Sequence, residues 1–176
     1  DLFGKITLAI VGIGAMEPSS MLARSGNVFS SRELAEIAEA GGVGDMSLRF
    51  FDAEGAPVRT PLDHRVIGMT LDALKDVDRV IALAGGRSKT RAIEGALRTG
   101  TIDLLITDLV MPEMTGRELK DSLISSCPGS KYLFMSGYTG NVIAQQKVLE
   151  EGVNFIQKPF SEKDLAAKVR KVLDSE

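Results

Sequence analysis

The chain has 176 residues, of which 44% are hydrophobic and 26% charged, and its formal net charge is −3. This length fits one large domain or two very small ones, and the acidic balance without any lysine or arginine block argues against nucleic-acid binding. No apolar run reaches the roughly 18 residues that a membrane span requires, and the single cysteine, Cys127, excludes an internal disulfide, so we expect a cytoplasmic protein.

Five short apolar runs predict buried parallel strands, because helical patterns alternate with them and turn or capping residues bound them. In chain order the predicted strands are Ile6–Val11, Val80–Ala84, Ile102–Thr107, Tyr132–Met135 and Val153–Ile156.

Capping residues predict helices between these strands. A serine or threonine followed three residues later by an acidic residue forms a capping box, and Ser88 and Asn141 are simpler candidates for helix starts. The capping boxes begin at Ser30, Thr115 and Ser161, and the helix from Asn141 is expected to end at Gly152.

One region departs from this alternation of strands and helices. Residues Asp45–Thr60 alternate apolar and polar side chains on both sides of Asp52–Gly55, which predicts a β-hairpin with its turn at Asp52–Gly55. A short helix is predicted at Leu71–Lys75.

The first part of the chain resembles a family of bacterial regulators. The residues that carry the resemblance are ITLAIVGIG, GGVGDMSLRFFDAEGAPV, the stretch from Asp63 through ALAGGRSKTRAIEGALRTG, and IDLLITD. From Asp1 to about Asp108 they resemble part of the effector-binding domain of the SorC/DeoR-type sugar-responsive transcription regulators. The family's DNA-binding helix-turn-helix and the first half of its sugar site have no counterpart in this sequence.

The second part resembles a different family. The blocks TDLVMPEMTGREL, FMSGYTG and NFIQKPF, in this order and spacing, are similar to the second half of a response-regulator receiver domain. The half without a counterpart would carry the first two strands and the acidic pair that holds the metal ion. ITLAIVGIG could occupy the place of one such strand, but it ends in Gly12-Ile13-Gly14 instead of two aspartates.

The two resemblances meet within Ile102–Asp108, which suits both families. Natural fusions normally join whole domains through a linker, whereas here two half-domains meet within a strand. We therefore expect an engineered chimera of residues 1–101 and 102–176 without native activity. Because the chain begins at Asp1 rather than at a methionine, we also expect it to be an excised piece. A natural relic of fold evolution is the alternative origin. A residual sugar-phosphate module and a residual phospho-acceptor domain are the alternative functions, and no enzyme activity is expected.

The receiver resemblance implies a phosphorylation site. It makes Asp108 the phospho-acceptor, Ser136 the hydroxyl that binds the phosphoryl group, and Lys158 its cation, with a cis bond to the following proline. Phe155 takes the aromatic switch position. Mg²⁺ prefers several hard oxygens, and only Asp108 and the Val110 carbonyl remain, so we expect weak Mg²⁺ binding at most. We expect instead an inherited Asp108–Lys158 ion pair. Removal of Lys158 would leave a partly buried carboxylate unpaired and cost a few kcal/mol.

A second candidate site follows the predicted strand Val80–Ala84. Its residues stand where a strand passes into a helix, and free N–H groups, the helix dipole and a lysine together favour an anion. The regulator resemblance implies that this loop holds the phosphate of a sugar phosphate, whereas the alternative is a glycine turn with a solvated lysine. The order of residues does not match a Walker A motif. The residues are Gly85, Gly86, Ser88 and Lys89.

The same resemblance implies that Asp45 and the turn Gly12–Gly14 face this effector. Gly12 and Gly14 do not form a dinucleotide fingerprint, because Glu17 stands where a third glycine belongs. Phosphate or a sugar phosphate is therefore the expected partner, with no nucleic acid and no membrane.

These features predict one α/β domain with a doubly wound, five-stranded parallel sheet of the flavodoxin-like type. The predicted strand order is 2-1-3-4-5, with the hairpin inserted after the first helix. Ile102–Thr107 should then be a central strand between Ile6–Val11 and Tyr132–Met135. The alternative keeps the sheet order of the sugar regulators in the N-terminal part.

Overall fold

The computed structural model of the chain describes residues 3–16, 29–137 and 153–175. Nine strands are found in these residues: β1 (Leu8–Ala15), β2 (Gly44–Met46), β3 (Arg49–Phe51), β4 (Arg79–Leu83), β5 (Leu104–Asp108), β6 (Val110–Met111), β7 (Met114–Thr115), β8 (Lys131–Ser136) and β9 (Phe155–Gln157). The α-helices are α1 (Ser31–Glu39), α2 (Leu71–Leu74), α3 (Thr90–Arg98), α4 (Gly116–Ile124) and α5 (Glu162–Leu173), and 3-10 helices lie at Phe3–Lys5, Pro61–Arg65 and Arg87–Lys89. The predicted helix from Asn141 to Gly152 lies outside the described residues.

The main sheet has seven strands in the order β3-β2-β1-β4-β5-β8-β9; β2 pairs antiparallel with both β1 and β3, and the other neighbouring strands pair in parallel. The chain is thus an α/β protein, but the predicted order 2-1-3-4-5 is wrong. Strand β5 pairs with β8 as expected, whereas its other neighbour is β4 and not β1. The physical reason is that β2 pairs with Ile13–Ala15 and occupies the side of β1 that the predicted order assigned to the second parallel strand.

The hairpin has an additional turn that the sequence did not predict. Strands β2 and β3 reverse at Ser47 and Leu48, which both have positive φ, as hairpin turns of two residues require. The predicted turn at Asp52–Gly55 also exists, because the Asp52 carboxylate accepts hydrogen bonds from the backbone of Glu54 and Ala56. The region therefore folds back twice.

Most of the predicted helix starts are confirmed. Ser30, Thr115 and Ser161 each form a complete capping box with the acidic residue three positions later. Ser88 is not a helix cap: it lies within the 3-10 helix Arg87–Lys89, and α3 begins only after Lys89. The glycine loop thus leads into a 3-10 turn before the α-helix.

Helices cover the two faces of the sheet unequally. Ile93 of α3 and Leu119 of α4 are fully buried in the larger core cluster, and α5 buries Val172 on the other face. On that second face, Leu8 and Ile10 of β1 remain 53% and 65% exposed. Among the described residues, no helix has the length and apolar content to cross a membrane.

Candidate functional site at the carboxyl edge of the sheet

Both groups of predicted site residues lie at one edge of the sheet. Gly85 and Gly86 follow β4, Asp108 ends β5, Ser136 ends β8, and Lys158 follows β9. Because these strands are parallel, their carboxyl ends meet at the same edge, where open α/β sheets bind ligands. In the observed sheet β4 pairs directly with β5. The glycine loop after β4 and the receiver-like residues that begin with Asp108 are therefore two neighbouring half-sites.

The glycine loop presents backbone amide groups to this edge. Gly86 has φ 102°, a left-handed conformation that glycine adopts without strain, and it caps the 3-10 helix Arg87–Lys89. The N–H of Lys89 donates to the carbonyl of Gly86 at 3.0 Å. In the part of the chain that the structure describes, the N–H groups of Gly86, Arg87 and Ser88 have no such acceptor, so they are available to an anion.

Lys89 connects this loop to the end of β1. Its Nζ donates to the carbonyl oxygen of Ile13 at 3.2 Å. Asp45 of β2 lies close enough for the Lys89 charge to lower its pKa, but burial is the larger effect and raises the pKa of this carboxyl above its ordinary value. Asp45 Oδ2 also accepts a hydrogen bond from the N–H of Leu48 at 2.8 Å.

The two glycines of β1 differ in their surroundings. A Cβ atom on Gly14 would lie 2.1 Å from Asp45 Oδ1, so the carboxylate can pack there only against a glycine. A Cβ atom on Gly12 would meet no atom within 4 Å. The structure therefore brings Gly14, Asp45 and Lys89 together. Gly12, in contrast, faces open space where a Cβ atom would lie.

The receiver-like residues form a second group at the same edge. Lys158 Nζ donates to Asp108 Oδ1 at 2.5 Å, and both side chains are partly exposed, at 42% and 44%. Ser136 is only 5% exposed, and its carbonyl accepts the N–H of Lys158 at 2.7 Å. The Lys158–Pro159 bond is cis, as the resemblance implied. Phe155 lies on β9, where it pairs with Phe134.

These residues do not fit a magnesium ion. No group of three or more His, Cys, Asp or Glu side chains that could hold a metal occurs among the described residues. Asp108 offers one carboxylate, and Lys158 already occupies one of its oxygens. Mg²⁺ needs near-octahedral oxygen ligands, and Gly12 and Gly14 provide no carboxylate at the end of β1.

Two adjoining clefts connect the half-sites. The first has a volume of about 360 Å³ and includes Gly85, Gly86 and Asp108 in its lining. The second, of about 280 Å³, includes Asp108, Ser136 and Lys158. Asp108 lines both clefts and therefore lies at their junction.

Contacts between the two half-sites were not predicted. Arg87 donates from Nε and Nη2 to the carbonyl oxygen of Glu113, at 3.3 and 3.1 Å. Gly85 packs so closely on Met111 and Thr107 that a Cβ atom would lie 2.5 Å from the Met111 sulfur and 2.6 Å from the Thr107 hydroxyl oxygen. Single-sequence patterns could not show these contacts, since they depend on β4 and β5 being neighbours.

A mostly parallel sheet with a glycine loop and an aspartate–lysine pair at its carboxyl edge defines an α/β protein with a candidate binding site at that edge. The chain belongs to the sugar-binding domain family over residues 1–111 and to the response regulator receiver domain family over residues 63–170. The two matches overlap at residues 63–111, which include the whole of Ile102–Asp108. The chain is therefore a composite of the two families, as the two resemblances indicated.

Individual proteins show the same division. The erythritol catabolism regulatory protein EryD of Brucella abortus is 41% identical over 108 residues, which cover 61% of this chain and 34% of EryD. The sensor kinase CckA of the same organism is 36% identical over 77 residues, 44% of this chain and 8% of CckA. A DeoR family transcriptional regulator from Listeria monocytogenes has a similar structure, with 30% identity, a TM-score of 0.58, and coverage of 68% of this chain and 45% of that one. The chain spans about a third of the length of the curated regulators that it matches.

Proposed function

We propose that the chain is a sugar-phosphate or anion-binding module, with the anion held at Gly85–Lys89. The observation that carries the proposal is that the glycine loop leaves the N–H groups of Gly86, Arg87 and Ser88 without a backbone acceptor among the described residues, while Lys89, in the same 3-10 turn, places its Nζ 3.2 Å from the Ile13 carbonyl oxygen near the end of β1. Membership of the sugar-binding domain family supports the same assignment. No bond-breaking step is needed, so the proposed role is binding and not catalysis.

The charges around the loop suit a phosphate monoester. Lys89 and the amide groups of Gly86–Ser88 provide positive potential for the phosphate. Asp45 adds a carboxylate that can accept hydrogen bonds from sugar hydroxyls, and its contact with Gly14 fixes its position. Both cations of the loop already donate to a carbonyl oxygen, Arg87 to Glu113 through two nitrogen atoms and Lys89 to Ile13 through one. We assign Lys89 to the phosphate because it makes the fewer of these hydrogen bonds.

Calorimetric titration with inorganic phosphate tests this proposal. A hydrogen bond to a charged group contributes about 1.5–3 kcal/mol, so Lys89→Ala should weaken phosphate binding by roughly tenfold or more. Lys163→Ala, at an exposed position in the first turn of α5, is the matched control and should bind like the parent chain. Equal affinity in the parent and in Lys89→Ala would remove the loop from consideration.

A residual phospho-acceptor is the second candidate, and the contact between Asp108 and Lys158 favours it. The poor fit to Mg²⁺ argues against efficient transfer, because the metal must hold the phosphoryl oxygens while charge moves. Incubation with a small acyl-phosphate donor and Mg²⁺, followed by intact mass measurement, should show almost no phosphorylation. Near-stoichiometric mass gain that Asp108→Asn abolishes would reverse this ranking. The engineered origin of the composite stays a prediction.

A further inference from the structure

We infer that the free edge of β1 pairs in antiparallel with the same edge of a second copy of this chain and forms a two-fold symmetric dimer. On one side of β1, β4 pairs with Leu8–Gly12. On the other side, β2 pairs only with Ile13–Ala15, so no strand among the described residues pairs with Leu8–Gly12 there. An unpaired strand edge is a template for pairing with another chain.

The backbone groups of this edge point away from the sheet. The carbonyl oxygen of Thr7 accepts the N–H of Arg79 at 3.1 Å, which directs the backbone of Thr7 towards β4. Because successive residues of a strand direct their N–H and C=O groups to opposite sides, Leu8, Ile10 and Gly12 direct theirs to the free edge. These residues therefore offer both donors and acceptors to a partner strand.

The side chains of the same residues are apolar and exposed. Leu8 and Ile10 lie on one face of β1, where they are 53% and 65% exposed, and Leu83 of β4 extends this apolar surface beside Gly12. Natural edge strands avoid unwanted pairing with charged side chains or proline, and Leu8–Gly12 contains neither. A partner strand would thus satisfy the backbone and also cover apolar surface.

The pattern of side chains is complementary to itself, and this favours a second copy as the partner. Antiparallel pairing about a two-fold axis at Ala9 places Leu8 of each copy opposite Ile10 of the other. Both cross-strand apolar pairs form at once, and such pairs stabilise antiparallel strands.

The shape of the edge fits the same symmetry. Strand β2 begins to pair at Ile13, so a partner strand must leave the sheet at that level. In the symmetric arrangement Lys5 of one copy lies opposite Ile13 of the other. The chain has left the strand at Lys5, because Phe3–Lys5 forms a 3-10 helix. The hairpin of each copy thus has room beside the other copy.

The edge is short, which limits the strength of the dimer. A standard stable interface buries roughly 800 Å² on each partner, and one strand edge with two large apolar side chains provides less. We therefore expect a reversible dimer whose fraction rises with protein concentration.

Sedimentation equilibrium of the full chain, from about 10 µM to about 1 mM, tests the dimer. The average mass of the parent should rise towards that of a dimer and not beyond it, because a two-fold contact closes on itself. Ile10→Lys and Leu8→Lys should each weaken dimerisation about tenfold or more, since they place charge on the edge. Ile67→Lys replaces a fully exposed isoleucine outside the edge and is the matched control, which should dimerise like the parent.

Amide hydrogen exchange identifies the paired edge without any substitution. The N–H groups of Leu8 and Ile10 should exchange more slowly at high than at low concentration of the parent. A parent that stays monomeric up to about 1 mM, or that forms larger oligomers, would overturn the inference. Dimerisation that both lysine variants retain while folded, or that leaves the exchange of Leu8 and Ile10 unchanged, would also overturn it.

Discussion

The ammonium nitrogen of Lys158 lies 2.5 Å from Oδ1 of Asp108 and joins the residue after β9 to the end of β5. Both side chains are more than two-fifths exposed. The ion pair was expected. The expected cost of a few kcal/mol, however, assumed a more buried carboxylate than the 44% exposed Asp108 of the structure. Solvent therefore reduces the free energy that this contact contributes.

We predict that Lys158→Met lowers the free energy of unfolding by less than about 1 kcal/mol, because exposed ion pairs contribute little. Chemical denaturation of the variant and of the parent chain measures the difference. A loss of several kcal/mol would show that Asp108 is effectively buried in solution, and Asp108→Asn in the Lys158→Met background would then restore most of the loss.

Gly14 and Gly12 provide a matched pair of substitutions on one strand. Gly14→Ala places a methyl group 2.1 Å from Asp45 Oδ1, and Asp45 cannot move freely because the N–H of Leu48 holds it. Forced packing of this kind costs about 1–3 kcal/mol. Gly12→Ala adds its methyl group to open space and should leave the unfolding midpoint nearly unchanged. Similar midpoints for the two variants would contradict the assigned packing.

The buried Arg49 organises the loop that precedes α2. Its guanidinium donates to the carbonyl oxygens of Asp63, Val66, Gly68 and Met69 at 3.0–3.2 Å, and the residue is only 8% exposed. Replacing it leaves several carbonyl groups without donors.

Arg49→Met should therefore lower the free energy of unfolding by about 3 kcal/mol or more. Arg59→Met is the control, since Arg59 is exposed and its ion pair with Asp72 is likewise exposed, and it should cost less than about 1 kcal/mol. Urea denaturation measures the free energy of unfolding of both variants. Equally small decreases in this free energy would mean that the loop does not depend on Arg49.

The pH dependence of stability reports on Asp45. Burial raises the pKa of this carboxyl in the folded chain, so its favourable contribution is complete below the unfolded pKa and is lost as the pH rises through the folded pKa. At neutral pH the ionised group thus lowers stability.

Asp45→Asn should raise the melting temperature at neutral pH, since the amide oxygen can still accept the N–H of Leu48 without carrying charge. The difference from the parent should disappear at about pH 3, where both the folded and the unfolded carboxyl are largely protonated. A lower melting temperature of the variant at neutral pH would show that the Lys89 charge outweighs the burial of Asp45.

Local patterns predicted the elements well, whereas the sheet order needed information that they do not contain. Capping boxes such as Thr115–Glu118 depend on neighbouring residues, so the sequence alone identifies them. The position of β4 between β1 and β5 depends on the hairpin, which occupies the other side of β1 at Ile13–Ala15.

The same distinction applies to the candidate site. Family motifs identified Asp108 and the glycine loop separately, but the cleft that Asp108 shares with Gly85 and Gly86 follows from the pairing of β4 with β5. The Leu48 turn was missed for another reason: leucine rarely adopts positive φ, so its type gave no signal of a hairpin.

The most direct test of the anion site is the response of backbone amide resonances to inorganic phosphate. We expect saturable shifts at Gly85–Lys89 in the parent chain, because phosphate oxygens would accept the N–H groups of Gly86, Arg87 and Ser88, and no comparable shifts in Lys89→Ala. Shifts confined to the surroundings of Asp108 and Lys158, or the absence of saturable shifts in the parent, would contradict an anion site at the glycine loop.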